Sequence, residues 1–207
     1  MRWLDEVAAG LAELRDAGVV VLWRPLHESN EPAFWWGANM PNSPKPEQVV
    51  ALWRHMFDYF THEKGLNNLL WVFSATPMEK PGTLPELLCY PGEAYVDVVG
   101  VDLYADRPVI SAYPAMTALG KPFALTEFGP SLETAEAGTY DYGQLIQQIQ
   151  AEYPRTTFVQ AWSGSSKSRR AWAFAAHRNA KAFLEHPWTA TIEDVDWRPR
   201  RPFWRWW

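Results

Sequence analysis

Residues 19–30 read Val-Val-Val-Leu-Trp-Arg-Pro-Leu-His-Glu-Ser-Asn, an apolar, β-branched run that stops abruptly at a segment rich in polar chemistry. A short apolar run without alternation is the pattern of a strand buried on both faces, as in a parallel sheet covered by helices. The switch to His27, Glu28 and Asn30 puts polar, reactive side chains where such a strand ends. In a (β/α)8 barrel that C-terminal end is where an active site is assembled.

Working outward, Leu4, Val7, Ala8, Leu11 and Leu14 recur at helical spacing before this strand, and Gly18 stands where a glycine cap falls. After it comes a loop with Pro41, Pro44 and Pro46, then helical spacing again at Val49, Trp53, Met56, Phe57 and Phe60, closed by Gly65. Further strands are predicted over 68–73, 96–103, 122–125 and 156–161, with an apolar segment over 109–119, a helix over 142–152 and a last helix over 171–184. Strand and helix alternating at about 30-residue intervals is an α/β pattern, and no Gly-rich phosphate loop follows any strand. Each predicted strand ends in candidate chemistry: His27 and Glu28, Ser74 and Thr76, Asp102 and Tyr104, Glu127, then Gln160 and Trp162.

Composition narrows the partners. With 207 residues, 47% of them apolar and 21% charged, one globular core is expected, and a net charge of −5 of mixed sign offers no basic face to nucleic acid. No apolar run approaches the length of a membrane span. Cys89, the single cysteine, sits beside Leu87 and Leu88 and reads as a buried thiol. Thirteen tryptophans fit either core packing or stacking on sugar rings. Spacing of histidine and carboxylate suggests no metal site, so no metal or other cofactor is expected.

Two glutamates at strand ends carry the chemical reading. A retaining glycosidase needs one carboxyl to protonate the leaving oxygen and a second to attack the anomeric carbon. Glu28 lies near Trp35 and Trp36, a setting that raises a carboxyl pKa by desolvation; Glu127, in Leu-Thr-Glu-Phe-Gly, is the second. Taken singly, either glutamate reads equally well as a solvated loop charge, His27 as a hydrogen-bonded core histidine, and Trp35, Trp36 and Trp162 as packing residues.

On these segments the chain resembles glycoside hydrolase family 26, a (β/α)8 family of endo-β-1,4-mannanases. The resemblance rests on residues 24–37, 68–74, 90–104, 122–130 and 183–187. It implies Glu28 as acid/base, Glu127 as nucleophile, Asp102 and Tyr104 as residues orienting nucleophile and substrate, His27 and Asn30 beside them, and Trp35, Trp36 and Trp162 as sugar-binding aromatics. It also implies a polysaccharide or oligosaccharide substrate and secretion, although residues 1–18 lack the layout of a signal peptide. Mixed-linkage β-glucan or β-xylan as substrate, and a catalytically silent glycan-binding fragment, are the alternatives. One departure is Ala33, five residues after Glu28, where the family usually places a tryptophan. The other is size: about five βα units are visible against the eight of a barrel of roughly 250 residues. The expected architecture is therefore an incomplete barrel over 1–188 with an irregular Trp/Arg-rich tail over 189–207. Its first strand would be an open edge, closed by self-association, by the tail, or by nothing in a truncated product.

Overall fold

The computed structural model describes residues 2–38, 41–78, 83–163 and 172–195. Helix α1 (Arg2–Asp16) leads into strand β1 (Val21–Trp23), followed by α2 (Pro46–Asp58) and β2 (Leu69–Ala75). Strand β3 (Val98–Tyr104), helix α3 (Tyr113–Ala118) and strand β4 (Phe123–Gly129) come next, then α4 (Leu132–Ala137), α5 (Tyr142–Glu152), β5 (Thr156–Ala161) and α6 (Ala180–Leu184). The five strands pair in parallel in the order β1-β2-β3-β4-β5 and form a curled half-barrel. Sequential parallel order is what right-handed βα crossovers produce, and the incomplete barrel expected above is present.

Local chemistry explains the helices. Pro46 begins α2, where its missing N–H costs nothing, and the Gln48 side chain accepts the Lys45 N–H at 2.8 Å. Gly65, at φ 64°, releases the chain after a π-turn over Tyr59–Glu63. On α1 the inward face is Ala8 and Leu11, while Trp3, Val7 and Leu14 face solvent. Among the described residues no helix is long and apolar enough to cross a membrane.

Strand periodicity sorts side chains into two layers. Trp71 and Phe73, Val99 and Val101, and Phe123 and Leu125 point outward into the main core with Trp53, Phe60, Tyr142 and Leu145 from the helical layer. The intervening Val72, Val98 and Ala124 meet Phe158 in a small inner cluster. Continued toward the strand ends, this inner set becomes Arg24, Ser74, Asp102 and Thr126, so the alternation that fills the interior also delivers polar groups to one rim.

A bulge adds one more. The β3–β4 register runs Val101 to Leu125 but Asp102 to Glu127, and the β4–β5 register advances three residues on β4 from Leu125 to Phe128 against two on β5 from Val159 to Ala161. The extra β4 residue lets Thr126 and Glu127, consecutive in sequence, both line the same interior cleft.

Several expectations change. The first strand, expected over 19–23 and buried on both faces, is β1 at Val21–Trp23 with Val20 65% and Leu22 52% exposed, because among the described residues β1 is the end strand of the sheet. Strands β2 and β4 run two and four residues further than predicted, because polar residues directed into the site still make ladder hydrogen bonds. The predicted helix over 171–184 is a 3-10 turn at Phe174–Ala176 and the short α6, residue 171 lying outside the described residues. The Arg178 N–H donates to Tyr140 O and the Tyr142 N–H to Arg178 O, so tertiary pairing breaks the Ala-rich segment before Asn179, which sits at φ 54°. Of the expected tail, residues 189–195 form turns in which the Asp194 N–H donates to Thr191 O at 3.0 Å, and the rest lies outside the described residues.

Candidate active site

Arg24, one residue past β1, is the hub of the rim. Its Nη1 donates to Asp102 Oδ2 at 2.6 Å and to Ser74 Oγ at 3.0 Å, while its Nη2 donates to Glu127 Oε1. One guanidinium thus bridges two carboxylates, an arrangement suited to its planar fork. Asp102 is almost fully buried and receives Thr126 Oγ1–H at 2.7 Å on Oδ1 and Ser74 Oγ–H at 3.0 Å on Oδ2. Burial pushes its carboxyl up to about 6, against the pull of Arg24 and of these two hydroxyls. On the other side, Tyr104 donates its hydroxyl to Glu127 Oε2 at 2.7 Å. Both Glu127 oxygens are therefore acceptors, fixed between β1 and β3.

Glu28 belongs to the loop after β1, where Leu26 and Glu28 both take left-handed backbone, φ 48° and 53°. Non-glycine residues hold this conformation only under constraint. The constraint is visible: the Glu28 N–H donates to Ser74 O, the Ala38 N–H to Ser29 O, and the Trp36 indole N–H to His27 O at 2.7 Å. Half-buried, the Glu28 carboxyl is pushed up to about 7 by desolvation first, then by the negative charges of Asp102, Glu31 and Glu127, with Arg24 opposing. His27 is shifted down by desolvation and by Arg24, against the upward pull of Glu127; its ring packs 4.6 Å from Phe34 and 5.7 Å from Trp36.

A cleft of about 310 Å³ opens beside Glu127, walled by Arg24, Thr126, Phe158, Gln160 and Trp162. Trp162 is 42% exposed, which leaves ring surface available to a ligand. Of the residues expected from sequence, Glu28, Glu127, Asp102, Tyr104, His27 and Trp162 gather at this rim. Asn30 is buried, its amide donating to Thr76 O at 2.7 Å and accepting the Thr76 N–H at 3.0 Å, so it braces the Glu28 loop against the end of β2. Trp36 backs His27 from behind, and Trp35, 72% exposed, faces a separate hollow.

Sequence reasoning gave no role to Arg24, Thr126 or Trp172. Arg24 had a signal, a lone cation at a strand end among three carboxylates. Thr126 had one too, since alternation places it on the inner face with Ala124; it is Glu127 that alternation turns away. Trp172 stands edge-on to Tyr104 at 6.0 Å and donates its indole N–H to Pro130 O at 3.0 Å. Its Cδ1 would lie 2.5 Å from a Cβ on Gly129, so glycine is needed there for Trp172 and Tyr104 to close over the strand.

Comparison with known proteins bears on the family and the fold. A family model described as glycosyl hydrolase family 26 matches residues 1–194. A mannan endo-1,4-beta-mannosidase of Bacillus subtilis is 39% identical over 93% of this chain and 51% of its own length. A relative of Caldalkalibacillus mannanilyticus, mannan endo-1,4-beta-mannosidase A and B, is 39% identical over 97% of this chain and 38% of its own. Among solved structures, the Bacillus subtilis mannanase BCman superposes with a TM-score of 0.79 at 36% identity, covering 91% of this chain and 53% of that one. The chain thus spans about half the length, or less, of the relatives it matches. Nearly every residue of it falls within the matched region, and on that evidence the chain belongs to glycosyl hydrolase family 26.

Proposed function

We propose that residues 1–188 form the catalytic region of an endo-acting hydrolase of β-1,4-mannosidic bonds in mannan or galactomannan, working with retention of configuration and without a cofactor. The observation that carries this reading is the unequal treatment of two carboxyls at one rim. Desolvation and like charge hold the Glu28 proton to about pH 7, whereas Glu127 is gripped on both oxygens by Arg24 and Tyr104. A carboxyl that keeps its proton near neutrality suits the acid, and one held on both oxygens by donors suits the nucleophile.

In this reading Glu127 attacks the anomeric carbon while Glu28 gives its proton to the leaving oxygen. Glu28 then takes a proton from the water that releases the glycosyl-enzyme. Arg24 and Tyr104 keep the nucleophile aimed, Asp102 anchors Arg24, and Trp162 offers a face to the sugar ring. The names of the relatives favour mannan over glucan or xylan.

The test is reducing-sugar release from mannan and galactomannan by the 207-residue chain, with Glu28→Ala and Glu127→Ala as controls. Turnover lost in both variants supports the pair; no turnover from the folded chain refutes hydrolysis by this chain and leaves glycan binding.

The edge of β1 supports one partner proposal, self-association. Val20 is 65% exposed just before β1, Leu22 is 52% exposed on the cleft side of the strand, and Trp3, Val7 and Leu14 are exposed on α1. Sedimentation velocity should show association that Val20→Lys weakens; a monomer at all concentrations refutes it.

A further inference from the structure

A second hollow lies on the far side of the Glu28 loop. It measures about 460 Å³ and is lined by Trp35, Trp36, Asn42 and Gln48 over an apolar floor of Val49 and Leu52, and among the described residues none of its lining side chains carries a charge. The Trp35 ring stands at 84° to Trp36, with centroids 5.4 Å apart, and is 72% exposed.

The exposed ring is held by a built loop. Besides the bonds of Trp36 to His27 and Ala38 to Ser29, the Gly37 N–H donates to Phe34 O at 2.9 Å, and Phe34 stacks on Trp36 at 4.5 Å and 4°. At position 37 a Cβ would fall 1.9 Å from Glu31 O, so the loop closes over glycine with no room to spare. Its other flank is tied down by Asn30 to Thr76 and by the Cys89 thiol to Ser29 O at 3.5 Å. A large aromatic ring kept in water on a rigid support loses little freedom when a ligand covers it.

Chemistry and position select the occupant. An uncharged hollow with one open indole face, an amide at Asn42, and an amide at Gln48 whose oxygen is engaged by the Lys45 N–H suits a neutral pyranose with apolar ring faces and peripheral hydroxyls. It also adjoins the catalytic rim, because Trp36 is wall to the hollow on one side and to His27 on the other, next to Glu28. We propose that Trp35, with Trp36, Asn42 and Gln48, forms a second subsite that holds the glycan chain where it passes beyond the acid/base, separate from the cleft at Glu127 and Trp162. This rests on the glycan-hydrolase reading above and adds to it a site that only a chain of several sugars can reach while occupying the cleft.

Isothermal titration of the whole chain with mannotriose and with mannohexaose tests the proposal in a Glu127→Ala parent, which leaves the ligands uncleaved, compared with the same parent carrying Trp35→Ala, Gln48→Ala or Trp162→Ala. Trp35→Ala should weaken mannohexaose about tenfold, the loss of one good ring contact, and mannotriose far less. Gln48→Ala should act in the same direction, and Trp162→Ala should weaken both ligands. Since Trp35 is exposed, its truncation leaves the core intact, and a thermal melt verifies folding. Unchanged mannohexaose affinity in Trp35→Ala, with Trp162→Ala still impaired, overturns the subsite and spares the functional reading. Equal weakening of both ligands by Trp35→Ala also overturns it, placing Trp35 in the main cleft. Binding of neither ligand by the folded parent overturns subsite and functional reading together.

Discussion

Replacing Arg24 with methionine should make the protein's stability sharply pH-dependent. The side chain is similar in length, so the change removes mainly the guanidinium shared by Asp102 and Glu127. Asp102 shows what is at stake. Even beside Arg24 its carboxyl stands at about 6 against an ordinary 3.8, so ionised Asp102 costs the folded state about 3 kcal/mol at neutral pH. Without the guanidinium that value climbs further, each unit adding about 1.4 kcal/mol. An acid whose folded pKa is raised binds its proton more tightly in the native than in the unfolded chain. Stability therefore falls as pH rises through the interval between the two values. Below about pH 6 Asp102 is protonated with or without Arg24, and the variant loses chiefly packing and one partner of Glu127. Above it the variant's Asp102 must either keep its proton or ionise without a partner, and the added deficit grows by up to about 1.4 kcal/mol per pH unit, about 2 kcal/mol at pH 7.5. Urea denaturation followed by far-ultraviolet circular dichroism, at about pH 5 and about pH 7.5, should show a deficit at least twice as large at the higher pH. Equal deficits at both pH values would refute the reasoning and reduce Arg24 to a packing residue.

Other outcomes follow from the same site. With Glu28 at about 7, kcat/KM on mannan should decline as pH rises through about 7, where an ordinary glutamate would already be almost wholly ionised; an alkaline limb starting near 4.5 would remove Glu28 as the acid. Tyr104→Phe deletes the 2.7 Å bond to Glu127 and should lower kcat/KM about ten- to a hundredfold with little change in melting temperature, read by steady-state kinetics and a thermal melt. Gly100→Ala would set a Cβ 2.5 Å from Thr126 Cγ2 and 2.7 Å from Ala124 O, and should cost about 1–3 kcal/mol in urea denaturation; a neutral substitution would mean that the β4 bulge yields freely.

Much of the molecule was legible in local pattern. Short apolar runs separated by helical spacing identify parallel strands because both faces of such a sheet are covered, and the polar residues closing those runs fall at the rim, where a site forms. Glu28, Asp102, Tyr104 and Trp162 could be named for that reason. The helix expected over 171–184 failed because Arg178 pairs with Tyr140 and Tyr142, a contact between segments far apart in the chain. The resemblance implies Asn30 beside the catalytic pair as a substrate-binding residue; the structure turns its amide to Thr76, and which backbone lies within its reach is a matter of packing.

Sequence by itself determined the layering: alternation within each strand directs Trp71, Phe73, Val99, Val101, Phe123 and Leu125 outward to the helices and Val72, Val98 and Ala124 inward. Tertiary structure alone decided that Glu127 faces the cleft. Strict alternation would turn it away from the side that Thr126 occupies, and nothing in Leu-Thr-Glu-Phe-Gly signals the extra residue. The bulge arises only when β4 must keep ladder pairing with β3 and β5 at once, and it delivers the carboxylate to Arg24, which comes from a strand more than a hundred residues earlier.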